Sequence, residues 1–174
     1  MAKYEVLPGL PPYRPSAEGF SATGQGKHRE GLVVRFFPRS AESWVGNFQR
    51  GWGGCDAVFE YPEGTNIVIV VAGGQGYIVD PEARQCMETF GGSIESAHHV
   101  PELNAVVLGD GLWFEAMGPA GLLWRSGRIS WDGMCELNVD GLTLSGKAGD
   151  PDGRWTPFTL DLRTGESDGG SYYE

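Results

Sequence analysis

The sequence predicts an all-β protein built of antiparallel meanders, and three observations carry that expectation. Glycine fills 28 of 174 positions and proline 11, with glycine at about twice its usual share. Breakers at that density leave no room for long helices and favour short strands joined by tight turns. The stretch 67–72, Ile-Val-Ile-Val-Val-Ala, is continuously apolar, the pattern of a strand buried on both faces. Finally, one arrangement occurs three times. Tyr77-Ile78-Val79-Asp80 leads to Gly91-Gly92-Ser93-Ile94, Trp113-Phe114-Glu115-Ala116 to Ser126-Gly127-Arg128-Ile129, and the segment 155–162 to Gly169-Gly170-Ser171-Tyr172. Each copy has an aromatic, a short strand with an acidic residue, a turn, another strand and an exit of small residues.

The spacing of these copies resembles propeller blades. Tyr77 and Trp113 are 36 residues apart and Trp113 and Phe158 are 45, while Glu102-Leu103-Asn104 returns as Glu136-Leu137-Asn138 after 34. Periods of about 35–45 with several short strands mark blade-like units, and this chain has the length for about four of them. The expectation is therefore antiparallel β-meander units resembling propeller blades, arranged as a small or incomplete propeller or an open β sandwich. A homodimer that completes one ring from two chains is a third arrangement.

Taken in order, residues 1–30 are expected to be an irregular Pro/Gly-rich N-terminal arm and 31–174 a single all-β domain, the size of one folding unit. The segment 7–15 carries four prolines, which remove donors and restrict the residues before them; it packs on its own domain or runs as polyproline II towards an aromatic groove. The segment 20–26 continues as loop. Strands are predicted at 31–37, closed by Pro38, then 41–48, 57–61, 67–72, 77–80 and 85–90. Turns at 51–54, 62–64, 73–76 and 91–92 separate them. Strands follow at 105–108, 112–117, 122–125, 137–140, 143–148 and 155–162, with 96–101 read as a connecting loop.

Net charge is −10. That sign repels phosphate backbones, so nucleic acid is excluded as the expected partner. It suits a basic protein partner, and it also serves solubility. No apolar run lies near Met1, so no signal peptide is expected, and the longest apolar run is far too short to span a bilayer. Cys55, Cys86 and Cys135 are an odd, sparse set without a Cys-x-x-Cys pair. They fit reduced thiols in a cytoplasmic protein, not a disulfide frame or zinc site.

No residue set carries a catalytic signature, and no metal or cofactor is expected. His98 and His99 are adjacent, and on a strand they would point to opposite faces, which does not suit one metal. They are read as loop histidines that line a binding surface at most. No thiolate-stabilising setting surrounds the cysteines, so each is read as a small buried hydrophobe. Asp150-Pro151-Asp152-Gly153 lacks the remaining ligands of a calcium loop and reads as a turn. Gly73-Gly74-Gln75-Gly76 lacks the lysine and helix of a phosphate loop, and no Gly-x-Ser-x-Gly elbow is present. Six tryptophans stand out. Trp52 and Trp131 lie in Gly-flanked loops, where an aromatic can anchor a protein partner or a sugar face; plugging the β core is the competing reading. Asp110 and Asp132, like Asp140, precede glycine. They are hairpin signals first, and on one shared rim they would form an acidic, aromatic-lined mouth.

At 73–81, 130–133 and 155–170 the chain is similar to a group of small, uncharacterised bacterial all-β proteins with propeller-like repeats. The resemblance runs from about Gly26 onward. It implies the fold and carries over no activity, ligand or site residue.

The functional expectation is a non-enzymatic cytoplasmic protein-binding module, regulatory or immunity-type. Its acidic, aromatic-rich loop surface would include Trp52, His98, His99, Asp110, Trp131 and Asp132. The alternative is a binder of small molecules or carbohydrate, or a hydrolase-like enzyme, using the same loop Trp and Asp residues.

Overall fold

A computed structural model describes residues 3–13, 16–24, 29–62 and 64–172. Met1, Arg14, Pro15, Gln25, Gly26 and Glu63, assigned above to the arm and turns, lie outside the described residues. The described chain is all-β, with sixteen strands in four four-stranded sheets and one turn of 3-10 helix. It divides into two compact units, Met1–Ile94 and Glu95–Glu174.

In the first unit one sheet contains β1 (Tyr4–Leu7), β2 (Glu18–Phe20), β3 (Leu32–Phe36) and β4 (Trp44–Phe48), in the order β1-β3-β4-β2. The β2–β4 pairing is parallel and the others antiparallel. The second sheet is a meander in chain order, β5 (Ala57–Glu60), β6 (Val68–Ala72), β7 (Gln75–Asp80) and β8 (Gln85–Gly91). β6 is buried throughout, as its unbroken apolar run requires. β4 is also buried throughout, although its Gly46 and Asn47 weaken it as a sequence signal. The two sheets share a core in which Val34, Phe36, Trp44 and Phe48 meet Val68, Val70, Tyr77 and Val79. Phe36 stacks on Trp44 with centroids 4.5 Å apart. Trp44 Nε1 donates to Pro81 O at 2.9 Å and the Tyr77 hydroxyl to Gln49 O at 2.7 Å, so the buried aromatics keep their polar atoms satisfied.

The stretch expected to be an irregular arm supplies β1 and β2. Neither has a strong strand sequence; pairing to a committed neighbour forms them. Val6 lies opposite Val34 and Glu5 opposite Arg35, and the Tyr4 hydroxyl donates to Val58 O at 2.8 Å.

The second unit has the same plan twice. β9 (Ser96–Val100), β10 (Ala105–Gly109), β11 (Phe114–Gly118) and β12 (Gly121–Arg125) form one meander. β13 (Met134–Asp140), β14 (Thr143–Gly149), β15 (Trp155–Asp161) and β16 (Ser167–Gly169) form the other. Their shared core includes Val100, Val107, Phe114, Ala116, Leu144, Phe158 and Leu160. Burying each of the Val, Leu and Phe side chains contributes about 1.5–3 kcal/mol. The repeated aromatics occupy corresponding places: Tyr77 lies in β7, Trp113 immediately precedes β11 and Phe158 lies in β15, each the third strand of its meander. The echo of Glu102-Leu103-Asn104 in Glu136-Leu137-Asn138 is not structural. The first is a 3-10 turn ending in left-handed Asn104, and the second lies inside β13.

The segment 96–101, expected to be a loop, contains β9. Five residues pair antiparallel with β10, setting His98 opposite Val107 and His99 opposite Val106. The sequence Ser-Ala-His-His-Val has no β-branched run, so the ladder offered by β10 decides its conformation.

Candidate functional site

In the first unit the site is built from a loop of glycines. Trp52 N donates to Gly92 O at 2.7 Å, Gly53 N to Gly73 O at 2.9 Å, Gly74 N to Cys55 O at 2.9 Å and Cys55 N to Ile94 O at 3.2 Å. The loop therefore inserts between the β6–β7 turn and the exit after β8. Backbones approach so closely that a Cβ on Gly53 would lie 2.2 Å from Ile94 O, and one on Gly74 2.7 Å from Gly53 Cα. Asp56 Oδ1 accepts from Gly73 N and from Arg50 Nη1, both at 2.7 Å. On this clamped backbone the Trp52 side chain stands out with 95% of its surface exposed. Trp52 therefore does not plug the core.

The second unit builds a counterpart. Ile129 N and Ser130 N both donate to Leu112 O, at 2.8 and 3.3 Å. Trp131 N and Asp132 N donate to Gly149 O, at 3.2 and 3.0 Å, and Gly149 N returns to Gly133 O at 2.9 Å. The buried Ser171 hydroxyl donates to the same Gly149 O at 2.6 Å and accepts from Trp131 N at 3.2 Å. The buried Ser130 hydroxyl donates to Gly133 O at 2.5 Å. One carbonyl thus gathers the Trp131 loop and the chain after β16.

Two residues not singled out by the sequence complete this arrangement. The Tyr172 ring centroid lies 4.7 Å from that of Trp131, tilted 55°. Arg128 places its guanidinium carbon 4.9 Å from the Trp131 centroid and 4.7 Å from the Tyr172 centroid. Its Nε donates to Ser130 O at 2.8 Å and its Nη2 to Trp131 O at 3.3 Å. Both Arg128 and Tyr172 belong to the small-residue exits of the repeated pattern. The available signal is that Arg128 stands where the other two exits carry Ser93 and Ser171, and Tyr172 where they carry Ile94 and Ile129.

Asp110 Oδ1 accepts from Leu112 N at 2.8 Å and Trp113 N at 3.1 Å, so this carboxylate first shapes its own turn. Its loop runs beside that of Asp132: a Cβ on Gly111 would lie 3.7 Å from Gly133 Cα and 3.8 Å from Glu95 Cγ. The structure therefore brings the loops of Asp110, Trp131 and Asp132 to one end of the second unit. Asp140 lies at the opposite end of β13 from Asp132. Trp52 belongs to the other unit.

His98 lies within the sheet. Directly opposed residues share a face, and the pairings align His98 with Val107, Ala116 and Trp124 across the whole sheet. Val107 and Ala116 belong to the core. His98 Nε2 is buried without a hydrogen-bond partner among the described residues, and burial lowers its pKa. His99 points to the other face, with Val106.

Cys55, Cys86 and Cys135 are thiols, not disulfides, and burial raises the pKa of Cys86, which keeps it protonated and unreactive near neutrality. Among the described residues no group of three or more His, Cys, Asp or Glu is arranged to hold a metal ion, and no helix is long and apolar enough to cross a membrane. A cavity lined by Lys3, Phe37, Pro38, Arg39, Asn66, Pro81 and Glu82 has a volume of about 10 Å³, room for a single water.

No protein-family model matches the chain, and no curated protein matches it.

Proposed function

We propose that the chain is a non-enzymatic, cytoplasmic protein-binding module of regulatory or immunity type, with a basic protein as its partner. The observation that carries the reading is Trp52: a 95% exposed tryptophan on a backbone held by hydrogen bonds to two neighbouring turns. Exposing a large aromatic forfeits the burial it would gain in a core. A rigid loop presents it with little entropy left to lose on association, which favours an interface anchor. Trp131, 42% exposed, plays the same part in the second unit. The net charge of −10 and the adjoining loops of Asp110 and Asp132 favour a basic partner by steering. The thiol state of the cysteines accords with a reducing compartment.

The alternative binder of carbohydrate or small molecules calls for a pocket at Trp52 or Trp131. The test is affinity capture from lysate at two salt concentrations, with an Asp132→Lys variant alongside. A specific basic protein should be retained at low salt, less so at high salt and less by the variant. Capture of nothing at low salt would refute the reading.

A further inference from the structure

The Trp131 end of the second unit contains a cation with an unusual setting, and we propose that Arg128 is the anchor for a single carboxylate presented by an acidic side chain of the partner protein. The proposal rests on the protein-binding reading above and names one contact within it.

Charge is unevenly shared among the cations of this unit. Among its described residues, Arg125 pairs with Glu115, Lys147 with Glu136, Arg154 with Asp150 and Asp152, and Arg163 with Asp161. Arg128 has no carboxylate within ion-pair distance among the described residues. Two aromatic rings and two backbone carbonyls hold it instead. In a chain with 23 acidic residues and 13 Lys and Arg, a cation kept apart from every described carboxylate retains its charge for something else.

The guanidinium is also oriented. Nε and Nη2 are each aimed at a carbonyl, and the guanidinium carbon lies 4.9 and 4.7 Å from the two ring centroids. A guanidinium has five N–H donors, so three remain, on the two terminal nitrogens whose spacing matches a carboxylate. The scaffold behind it is built, since the hydroxyls of Ser130 and Ser171 are buried and lock the loops that carry Trp131 and Tyr172.

The surroundings select the ligand. Guanidinium suits phosphate as well as carboxylate. The adjoining loops carry Asp110 and Asp132, however, and their field opposes a dianion more than a single negative charge. A partner surface that is basic overall, with one acidic side chain at its centre, satisfies both the acidic loops and Arg128.

The test is NMR titration of the full 15N-labelled chain, following Arg128 Nε–H and the Trp131 indole N–H. The probes are N-acetyl-L-glutamate amide, its neutral counterpart N-acetyl-L-glutamine amide, and inorganic phosphate. Saturable shifts at both resonances with the glutamate derivative are expected, with the glutamine derivative about tenfold weaker or more. Arg128→Gln should abolish the Trp131 response, and Arg128→Lys should leave a reduced one, because charge remains while the fork is lost. A silent Arg128, an equal response to the glutamine derivative, or a preference for phosphate would each overturn the proposal. The wider reading fails by a different observation, capture of the partner that does not depend on Trp52 or Trp131.

Discussion

Arg128 and Trp131 are three residues apart in sequence and stack in space, the guanidinium carbon 4.9 Å from the ring centroid. The contact joins a cation to the aromatic that the loop presents to solvent. Contacts of this kind contribute about 0.5–1 kcal/mol at exposed sites. Arg128→Ala should therefore lower stability by about that amount in urea unfolding, while a binding-site role predicts a larger loss of partner affinity, on the order of 2 kcal/mol or more. A stability loss that matches or exceeds the affinity loss would assign Arg128 a structural role only.

The Trp52 loop depends on glycine where backbones meet. A Cβ on Gly53 would lie 2.2 Å from Ile94 O, and neither partner in that clash is a flexible side chain. Gly53→Ala should cost about 1–3 kcal/mol, read as a lowered urea midpoint. A Cβ on Gly127 would meet nothing within 4 Å, and the φ of Gly127 is not left-handed. Gly127→Ala should therefore change stability by about 0.5 kcal/mol or less. Equal effects of the two substitutions would contradict the close packing.

Ser171 reaches Gly149 O at 2.6 Å from a buried position. Removing the hydroxyl leaves that carbonyl its two amide donors from Trp131 and Asp132 and the Ser130 hydroxyl at 3.1 Å. Ser171→Ala should destabilise by about 1 kcal/mol and shift the Trp131 indole fluorescence towards that of a more solvated ring. An unchanged emission spectrum with unchanged stability would argue against the tie.

His98 predicts a pH dependence with a definite sign. Burial lowers its pKa in the fold, and its ring shares a face with Val107 and Ala116 of the core. Above the unfolded value of about 6.5 both states carry a neutral ring and the group costs nothing. As pH falls below that value the unfolded chain takes up the proton first, so stability is lost until pH has passed the lowered folded value. Unfolding midpoints measured from pH 8 to pH 5 should fall at the acidic end, and His98→Gln should flatten that fall. A profile unaltered by the substitution would show that other groups set it.

The regular sheets are legible in the sequence because their physical signals are local. The apolar run of β6, the β-branched run of β3 and the turns after Pro81 and Gly91 each carry their own evidence. Four of the edge strands do not. β1, β2, β9 and β16 take their conformation from the strand beside them, and nothing in Ser-Ala-His-His-Val or Ser-Asp-Gly announces a ladder. The same division runs through the site. Trp52 and Trp131 can be placed in loops because glycine flanks them, whereas Arg128 and Tyr172 come together only when the exits of two different strand patterns meet. His98 reads as a loop residue for the same reason that β9 reads as a loop.

If each tryptophan loop serves to bind a protein, removing the indole must cost affinity without costing the fold. Quantitative affinity capture from lysate would compare the parent chain with Trp52→Ala, after it is shown to unfold at an unchanged urea midpoint, and with Trp131→Ala, after it is shown to stay folded with a loss on the order of the 0.5–1 kcal/mol of its Arg128 contact. One and the same protein should be retained by the parent and depleted about tenfold or more by at least one substitution, the scale of an anchor residue. Equal retention by all three chains, or no retained protein at all, would show that the loops are not a binding surface.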